Sequence, residues 1–243
     1  MKRLFDILAA FFGLVVFFPL LLVVGILVWL QDRHSPFYIP NRVGRGEKPY
    51  RMIKFRSMVI RADTTKVDST ANNDPRITII GRIIRRCKFD EIPQLWNVLV
   101  GDMSLVGPRP NVARETDLYT LEEKVLLTVR PGITDISSIV FADEGSILEG
   151  KSDPDLAYNQ LIRPYKSRLG LLYIANAGVG LDVKLIFLTL LSAVNRRSAL
   201  DRISLIVKSL GATPELVAVA VRRTPLQPAP PPGADVIVTS RNT

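Results

Sequence analysis

From residue 7 to residue 30 the chain carries no charged side chain. As a helix rising about 1.5 Å per residue, such a run extends roughly 36 Å, beyond the ~30 Å of a bilayer's hydrocarbon core. The pattern predicts a membrane helix. Pro19 stands near its middle, where a missing backbone donor and a clash with the preceding turn bend or break a helix. The run is too long for the apolar part of a signal peptide, and no small-x-small site follows before Gln31 and Asp32. The segment is therefore expected to stay in the mature protein.

Shorter periods follow. Residues 37–58 read as two extended stretches around a turn at Gly44 to Gly46, a β-hairpin. Those glycines lack the strand, spacing and helix of a nucleotide fingerprint and are assigned to the turn alone. Residues 63–76, rich in Asp, Asn, Thr and Ser, read as a surface loop. Ile77, Ile80, Ile83 and Ile84 share one helical face, with Arg82, Arg85, Arg86 and Lys88 largely elsewhere. A helix lying on an anionic membrane and an amphipathic core helix both fit that pattern.

A short apolar helix after Glu91 should end near Gly101, before a loop closed by the stiff Gly107-Pro108-Arg109-Pro110. Helical patterns resume over 113–128 and 155–175. Residues 181–194 are apolar but include Asp182 and Lys184. They are too short to cross a bilayer and are expected to pack on the core or rest in the interface. Beyond Arg197 a weakly amphipathic stretch leads to LQPAPPPG, an expected extended linker, and a short tail. No internal repeat is visible.

Charge narrows the partners. Lysine and arginine number 32 against 23 acids, for a net charge of +9, so the surface attracts nucleic acid, acidic lipid or phosphorylated small molecules. No zinc-finger or RNA-recognition signature is present, and an apolar anchor is foreign to that class, so nucleic acid is not expected as a partner. One cysteine, Cys87, and one histidine, His34, leave no internal disulfide and no zinc or iron cluster. The working part is expected in the cytosol, with any metal held by oxygen.

Charge also bears on the path of the apolar helix. Lys2 and Arg3 precede it, and Arg33, Arg42, Arg45, Lys48, Arg51, Lys54 and Arg56 follow, opposed over residues 31–58 only by Asp32 and Glu47. Basic flanks stay on the cytoplasmic side. That balance favours a helix that bends at Pro19 and leaves by the face it entered, over a single crossing with an ordinary proline kink.

Lys54 and Arg56 in KFRSM, Arg85 and Arg86, and Arg109 in GPRP are suited to gripping phosphate oxygens, although solvated surface charge is the default for any one of them. Asp90 and Glu91 are adjacent, and neighbouring helical residues diverge by about 100°, so the two carboxylates can face different reactants in one pocket. For an isolated acidic pair, a solvated face or a helix cap is the simpler account.

Taken in order, KRLFD, NRVG, KFRSM, RRCKFDEIPQLWNVLVGDMSLVGPRP and RPGIT closely resemble the bacterial sugar transferases called monotopic phosphoglycosyl transferases, from about Lys2 to about Arg197. The resemblance implies transfer of a sugar 1-phosphate from a UDP-sugar to polyprenol phosphate, with release of UMP, as the first membrane step of surface glycan assembly. It implies Asp90 as nucleophile forming a covalent phosphosugar intermediate, and Glu91 deprotonating or orienting the lipid phosphate. Mg2+ would be held partly by Asp90, and Arg109, Arg85, Lys54 and Arg56 would bind phosphate or substrate.

The expected fold is α+β, mainly α. A re-entrant membrane helix (1–32) precedes a catalytic domain (33–197) at the cytoplasmic face of the bacterial inner membrane, with interfacial amphipathic helices on anionic lipid and the small β-hairpin. A C-terminal extension (198–243) carries the proline-rich linker. Two departures stand out. Phe18-Pro19 replaces the serine-proline pair common in relatives, and DISSIVFADEGSIL follows RPGIT where many relatives carry glycine-tryptophan-alanine and asparagine-glycine-arginine stretches. Asp143 and Glu144 in that stretch are either sugar contacts or plain loop acids. A non-catalytic membrane-surface scaffold is the competing functional reading, and it leaves the arginine-framed acidic pair unexplained.

Overall fold

In the computed structural model, which describes residues 1–62 and 74–240, the apolar run is a single helix, α1 (Lys2–Asp32), whose most apolar 18-residue stretch has a mean hydropathy of 3.0. The backbone stays helical through Pro19. Only Asp6, Ala10, Val24 and Val28 of α1 are buried, while Phe11, Phe12, Val15, Val16, Phe18 and Leu22 are exposed.

The expected hairpin is present. Strands β1 (Phe37–Tyr38), β2 (Asn41–Val43), β3 (Pro49–Arg51) and β4 (Lys54–Phe55) pair antiparallel as β2 with β3 and β1 with β4, in the registers Arg42 to Tyr50 and Phe37 to Phe55. A 3-10 turn, Arg45–Glu47, closes it, with Gly46 at φ 67°. Residues 63–73 of the expected surface loop lie outside the described residues.

Helix α2 (Ile79–Arg86) starts where the Thr78 hydroxyl accepts from the Gly81 amide, a standard N-cap. Ile84 and Ile80 pack with Val24, Val28 and Phe55. Ile83 does not join them as its spacing suggested. It points outward with Ile79, the two being 60% and 78% exposed. Gly81 lets α2 cross the KFRSM segment closely, since a Cβ there would lie 1.9 Å from the Ser57 carbonyl oxygen.

A 3-10 turn, Phe89–Glu91, leads into α3 (Gln94–Val100), which ends at Gly101 with φ 107°, close to where the sequence placed its stop. Strand β5 (Ser104–Val106) then pairs parallel with β6 (Gly132–Thr134). That pairing was not foreseen. Both strands are short, and the partners are separated by α4 (Ala113–Thr116) and a 3-10 stretch, Glu123–Thr128.

The remaining chain is helical: α5 (Ile136–Val140), α6 (Glu144–Leu148), α7 (Pro154–Leu161), α8 (Arg163–Ala175), α9 (Val179–Val194), α10 (Arg196–Ser209) and α11 (Pro214–Val221). One core joins Val98, Val106, Ile136, Ile139, Leu169 and Leu185 to Ile203 and Val207 of α10. The amphipathic stretch beyond Arg197 is thus folded into the main core. The proline-rich segment has no regular structure, yet it is tied down. Tyr165 donates to the Gln227 carbonyl at 2.9 Å, Arg168 to Pro230 at 2.9 Å, and the Ala229 amide to Gln160 at 3.1 Å.

Both ends of α1 bind the same body. Lys2 pairs with the buried Asp182 of α9 at 2.6 Å and reaches the Val106 carbonyl at 3.1 Å. Arg3 donates to the Val98 and Leu99 carbonyls at the end of α3, and Asp6 accepts from the Ser104 hydroxyl at 2.9 Å and the Leu105 amide at 3.2 Å. Thirty residues on, Asp32 holds Arg56 of the KFRSM segment at 2.5 and 2.7 Å.

Candidate active site

Four segments converge on the acidic pair. After α2, Lys88 takes a left-handed conformation (φ 56°) that turns the chain into the Phe89–Glu91 turn. Strand β4 contributes Lys54, the end of α2 contributes Arg85, and the segment after β5 contributes Arg109. The frame around Arg109 is set by two glycines. The Gly132 amide donates to Pro108 at 3.0 Å and the Gly107 amide to Thr134 at 3.0 Å. A Cβ on Gly132 would lie 2.1 Å from the Gly107 nitrogen, so the GPRP and RPGIT motifs meet backbone to backbone.

The hairpin is docked by Asn97, a buried polar residue of α3. Its side-chain oxygen accepts from the Ile53 amide at 2.9 Å and its nitrogen donates to the Arg51 carbonyl at 2.8 Å. These two bonds seat Lys54 beside the turn. The sequence signal was available, a lone asparagine inside an apolar helix, but its partners lie more than 40 residues away.

Glu91 Oε1 accepts from Arg109 Nη2 at 2.5 Å and lies 3.8 Å from Lys54 Nζ. Burial by itself would raise the Glu91 pKa, but Arg109 and Lys54 outweigh it and hold the carboxyl at about 2. Lys54 is pushed down to about 8, first by burial and then by Arg109, against the pull of Glu91 and Asp90. Arg109 is raised, chiefly by Glu91.

Asp90 behaves differently. Its pKa is raised by burial and by the neighbouring Glu91 charge, with Lys54, Arg85 and Arg109 opposing. Among the described residues its carboxylate makes no hydrogen bond or ion pair. The two acids therefore divide their roles. Glu91 is locked to cations, while Asp90 keeps its oxygens free beside them.

Of the other residues singled out from sequence, Arg85 acts on Asp90 through its charge. Arg56 is not brought to the pair but is engaged with Asp32 and with the Ser35 carbonyl. Residues the sequence did not single out also reach the site. Lys88 senses Glu91, Arg109 and Asp90, and its pKa is lowered mainly by burial. Lys166 of α8 donates to Glu144 of α6, and Lys166 shares with Arg109 the lining of a polar cleft. Nothing in the local pattern marks Lys166, because α8 supplies it from far along the chain. Asp143, by contrast, pairs with Arg196 at 2.9 Å and Arg222 at 3.0 Å.

The donor set also bears on magnesium. Among the described residues no three acids, histidines or cysteines converge. Magnesium does not need them, since it keeps several waters and binds through one or two carboxylates plus substrate phosphates. A carboxylate without a protein partner, beside cations that attract a diphosphate, fits that mode.

Residues 1–196 match the family model described as bacterial sugar transferase. Relatives include the exopolysaccharide production protein ExoY of Rhizobium meliloti (strain 1021), 37% identical over 153 residues, 57% of this chain and 68% of the relative. The UDP-N-acetylgalactosamine-undecaprenyl-phosphate N-acetylgalactosaminephosphotransferase of Aeromonas hydrophila is 34% identical over 194 residues, 78% of this chain and 42% of the relative. The UDP-glucose:undecaprenyl-phosphate glucose-1-phosphate transferase of Klebsiella pneumoniae is 35% identical over 202 residues, 82% of this chain and 41% of the relative. The matched part thus spans about two fifths of the length of the last two.

Proposed function

The chain belongs to the bacterial sugar transferase family, and on that premise we propose that it transfers a sugar 1-phosphate from a UDP-sugar to polyprenol phosphate at the cytoplasmic face of a bacterial inner membrane, within exopolysaccharide assembly. The observation that carries this reading is the division of roles in the acidic pair, one carboxylate fastened to Arg109 and Lys54 and the other unpartnered beside them.

In the proposed reaction an Asp90 oxygen attacks the sugar-bearing phosphorus, and the bond to the UMP oxygen breaks as UMP departs. The acyl phosphate so formed stays reactive. A phosphate oxygen of the lipid then attacks the same phosphorus and Asp90 is released. Charge spreads over the phosphoryl oxygens during each displacement, and positioned cations stabilise it. Arg109, Lys54 and Arg85 are the residues suited to that work, with Lys88 adding charge.

Glu91, fastened to Arg109 and close to Lys54, would deprotonate or orient the incoming lipid phosphate. Its bonds also hold Arg109 and Lys54 in place beside Asp90. Mg2+, bound through Asp90 and the donor's diphosphate, would screen the negative charge and keep Asp90 ionised.

Re-entry of α1 is supported by its anchoring. Both ends are ion-paired to one charged body that cannot follow the helix through lipid, which favours re-entry over a single crossing. The unpartnered apolar face of α1 enters the bilayer in this reading. Ile79 and Ile83 of α2, Trp96 and Val100 of α3, and Phe187 and Leu190 of α9 are exposed apolar residues suited to the interface, with Arg82 and Arg86 available to anionic head groups.

Purified protein incubated with a panel of UDP-sugars and Mg2+, without lipid, is expected to gain the mass of a phosphosugar and release UMP. Asp90→Asn should abolish the adduct, and chelation of the metal should stop UMP release. Equal adduct formation by wild type and Asp90→Asn would remove Asp90 from the nucleophile's role. Adduct formation unchanged by EDTA would remove the metal.

A further inference from the structure

Glu144 is a carboxylate among the cations of the site, and the phosphoryl transfer proposed above makes no use of it. The Arg109 and Arg85 charges both act on it, and Lys166 donates to its Oε2. Its other oxygen accepts no hydrogen bond among the described residues, and the side chain is 32% exposed. Burial alone would raise its pKa, but Lys166 outweighs that and keeps the group ionised.

An anionic diphosphate is drawn to Arg109 and Lys54 but repelled by Glu144. What a carboxylate suits at this place is the uncharged, hydroxyl-rich part of a donor, because its oxygens accept from several O–H groups at once. The neighbouring cleft leads the same way. Arg109, Asn111, Asp135, Ser137, Tyr158 and Lys166 line it, together with the apolar Pro108 and Leu126, so that it begins at the same arginine.

The placement of Glu144 is enforced from behind. Asp143, the preceding residue, is held by Arg196 at 2.9 Å and Arg222 at 3.0 Å. The Arg222 guanidinium lies 5.7 Å from the centre of the Phe141 ring, and Arg196 donates to the Val140 carbonyl at 3.3 Å. Lys166 is steadied in turn over the Tyr158 ring, at 5.1 Å. Arg222 lies beyond the residues that match the family, so the C-terminal segment reaches the donor site through this clamp.

We propose that Glu144, paired with Lys166 and positioned by the Asp143–Arg196–Arg222 clamp, accepts hydrogen bonds from hydroxyls of the transferred sugar and so selects among donors. The proposal rests on the sugar-phosphate transfer described above and assigns its specificity. Glu144 is the substrate contact, and Arg222 is a positioning residue that acts through Asp143.

The test uses the full chain with UDP-sugars that differ at single hydroxyls, reading KM and kcat for UMP release and the Kd of UDP. Glu144→Gln is expected to raise KM for the preferred donor ~10-fold or more, the loss typical of a hydrogen bond to a charged group. It should also level the preference between epimers and leave the Kd of UDP within about twofold. Arg222→Met should move KM in the same direction while Arg222→Lys, which keeps the charge on Asp143, restores it.

An unchanged KM and epimer order in Glu144→Gln would overturn the proposal, as would equal weakening of UDP, which would place Glu144 at the ribose. If Glu144→Gln does not fold, Glu144→Asp, whose carboxylate is drawn back by one methylene, should reorder the epimers, and an unaltered order would sink the idea. Wild-type protein that releases no UMP from any donor would instead bring down the underlying transfer reading, and this proposal with it.

Discussion

Lys54 shows how a single side chain can report on the site. It titrates at about 8, so it is charged below that pH and neutral above it. Donor binding that uses its charge is expected to weaken as pH rises through about 8, read as a rise in KM. Lys54→Arg should carry that limb out of the assay range, because arginine stays protonated. Stability should move the opposite way. The unfolded lysine titrates near 10.4, so between about 8 and 10 the unfolded chain binds more protons, and folding should strengthen slightly with rising pH. A KM and a melting temperature that both rise over that range would separate the site's electrostatics from general unfolding, which would lower the melting temperature. At this scale Asp90, Glu91, Arg109 and Lys54 were legible as a motif, whereas the pairing of Glu91 rather than Asp90 with Arg109 was not, because it depends on which acid faces the GPRP loop.

At the scale of elements, a close backbone crossing positions the helix that leads into the acidic turn. Gly81 brings α2 against the Ser57 carbonyl, and any Cβ would sit 1.9 Å from that oxygen. Since the obstacle is backbone on both sides, Gly81→Ala is expected to destabilise by about 1–3 kcal/mol and to displace Asp90, lowering adduct formation. Urea denaturation alongside the adduct assay checks both effects, and an unchanged midpoint would count against the crossing. The helical period correctly located α2, α3, α7, α8 and α9, but it missed α5 and α6, and the helix expected over 113–128 is the short α4 and a separate 3-10 stretch. It assigned Ile83 to the wrong face because periodicity ranks a residue by its neighbours along one helix. The packing partners here come from α1 and β4, which take only Ile80 and Ile84.

At the scale of the molecule, the family match ends at residue 196 while the core does not. Ile203 and Val207 of α10 are fully buried with Leu169 and Leu185. Ile203→Ala is expected to cost about 3 kcal/mol through lost burial and the cavity left behind. A thermal scan should show the whole chain melting earlier in a single transition. A separate early transition with the main melt unmoved would mean that α10 folds independently. The proline-rich segment, bonded to α7 and α8, and the Arg222 clamp on Asp143 belong to the same extended body.

The apolar run, the basic flanks, the hairpin and the order of the motifs were set by local chemistry, and each is visible as a period, a composition or a spacing within a few tens of residues. The parallel meeting of GPRP with RPGIT, the engagement of Arg56 with Asp32, the arrival of Lys166 beside Glu144 and the burial of α10 were decided only by the folded chain. Each joins residues distant in sequence, where spacing carries no information and the outcome depends on which surfaces can close on one another without leaving charge or backbone unpaired.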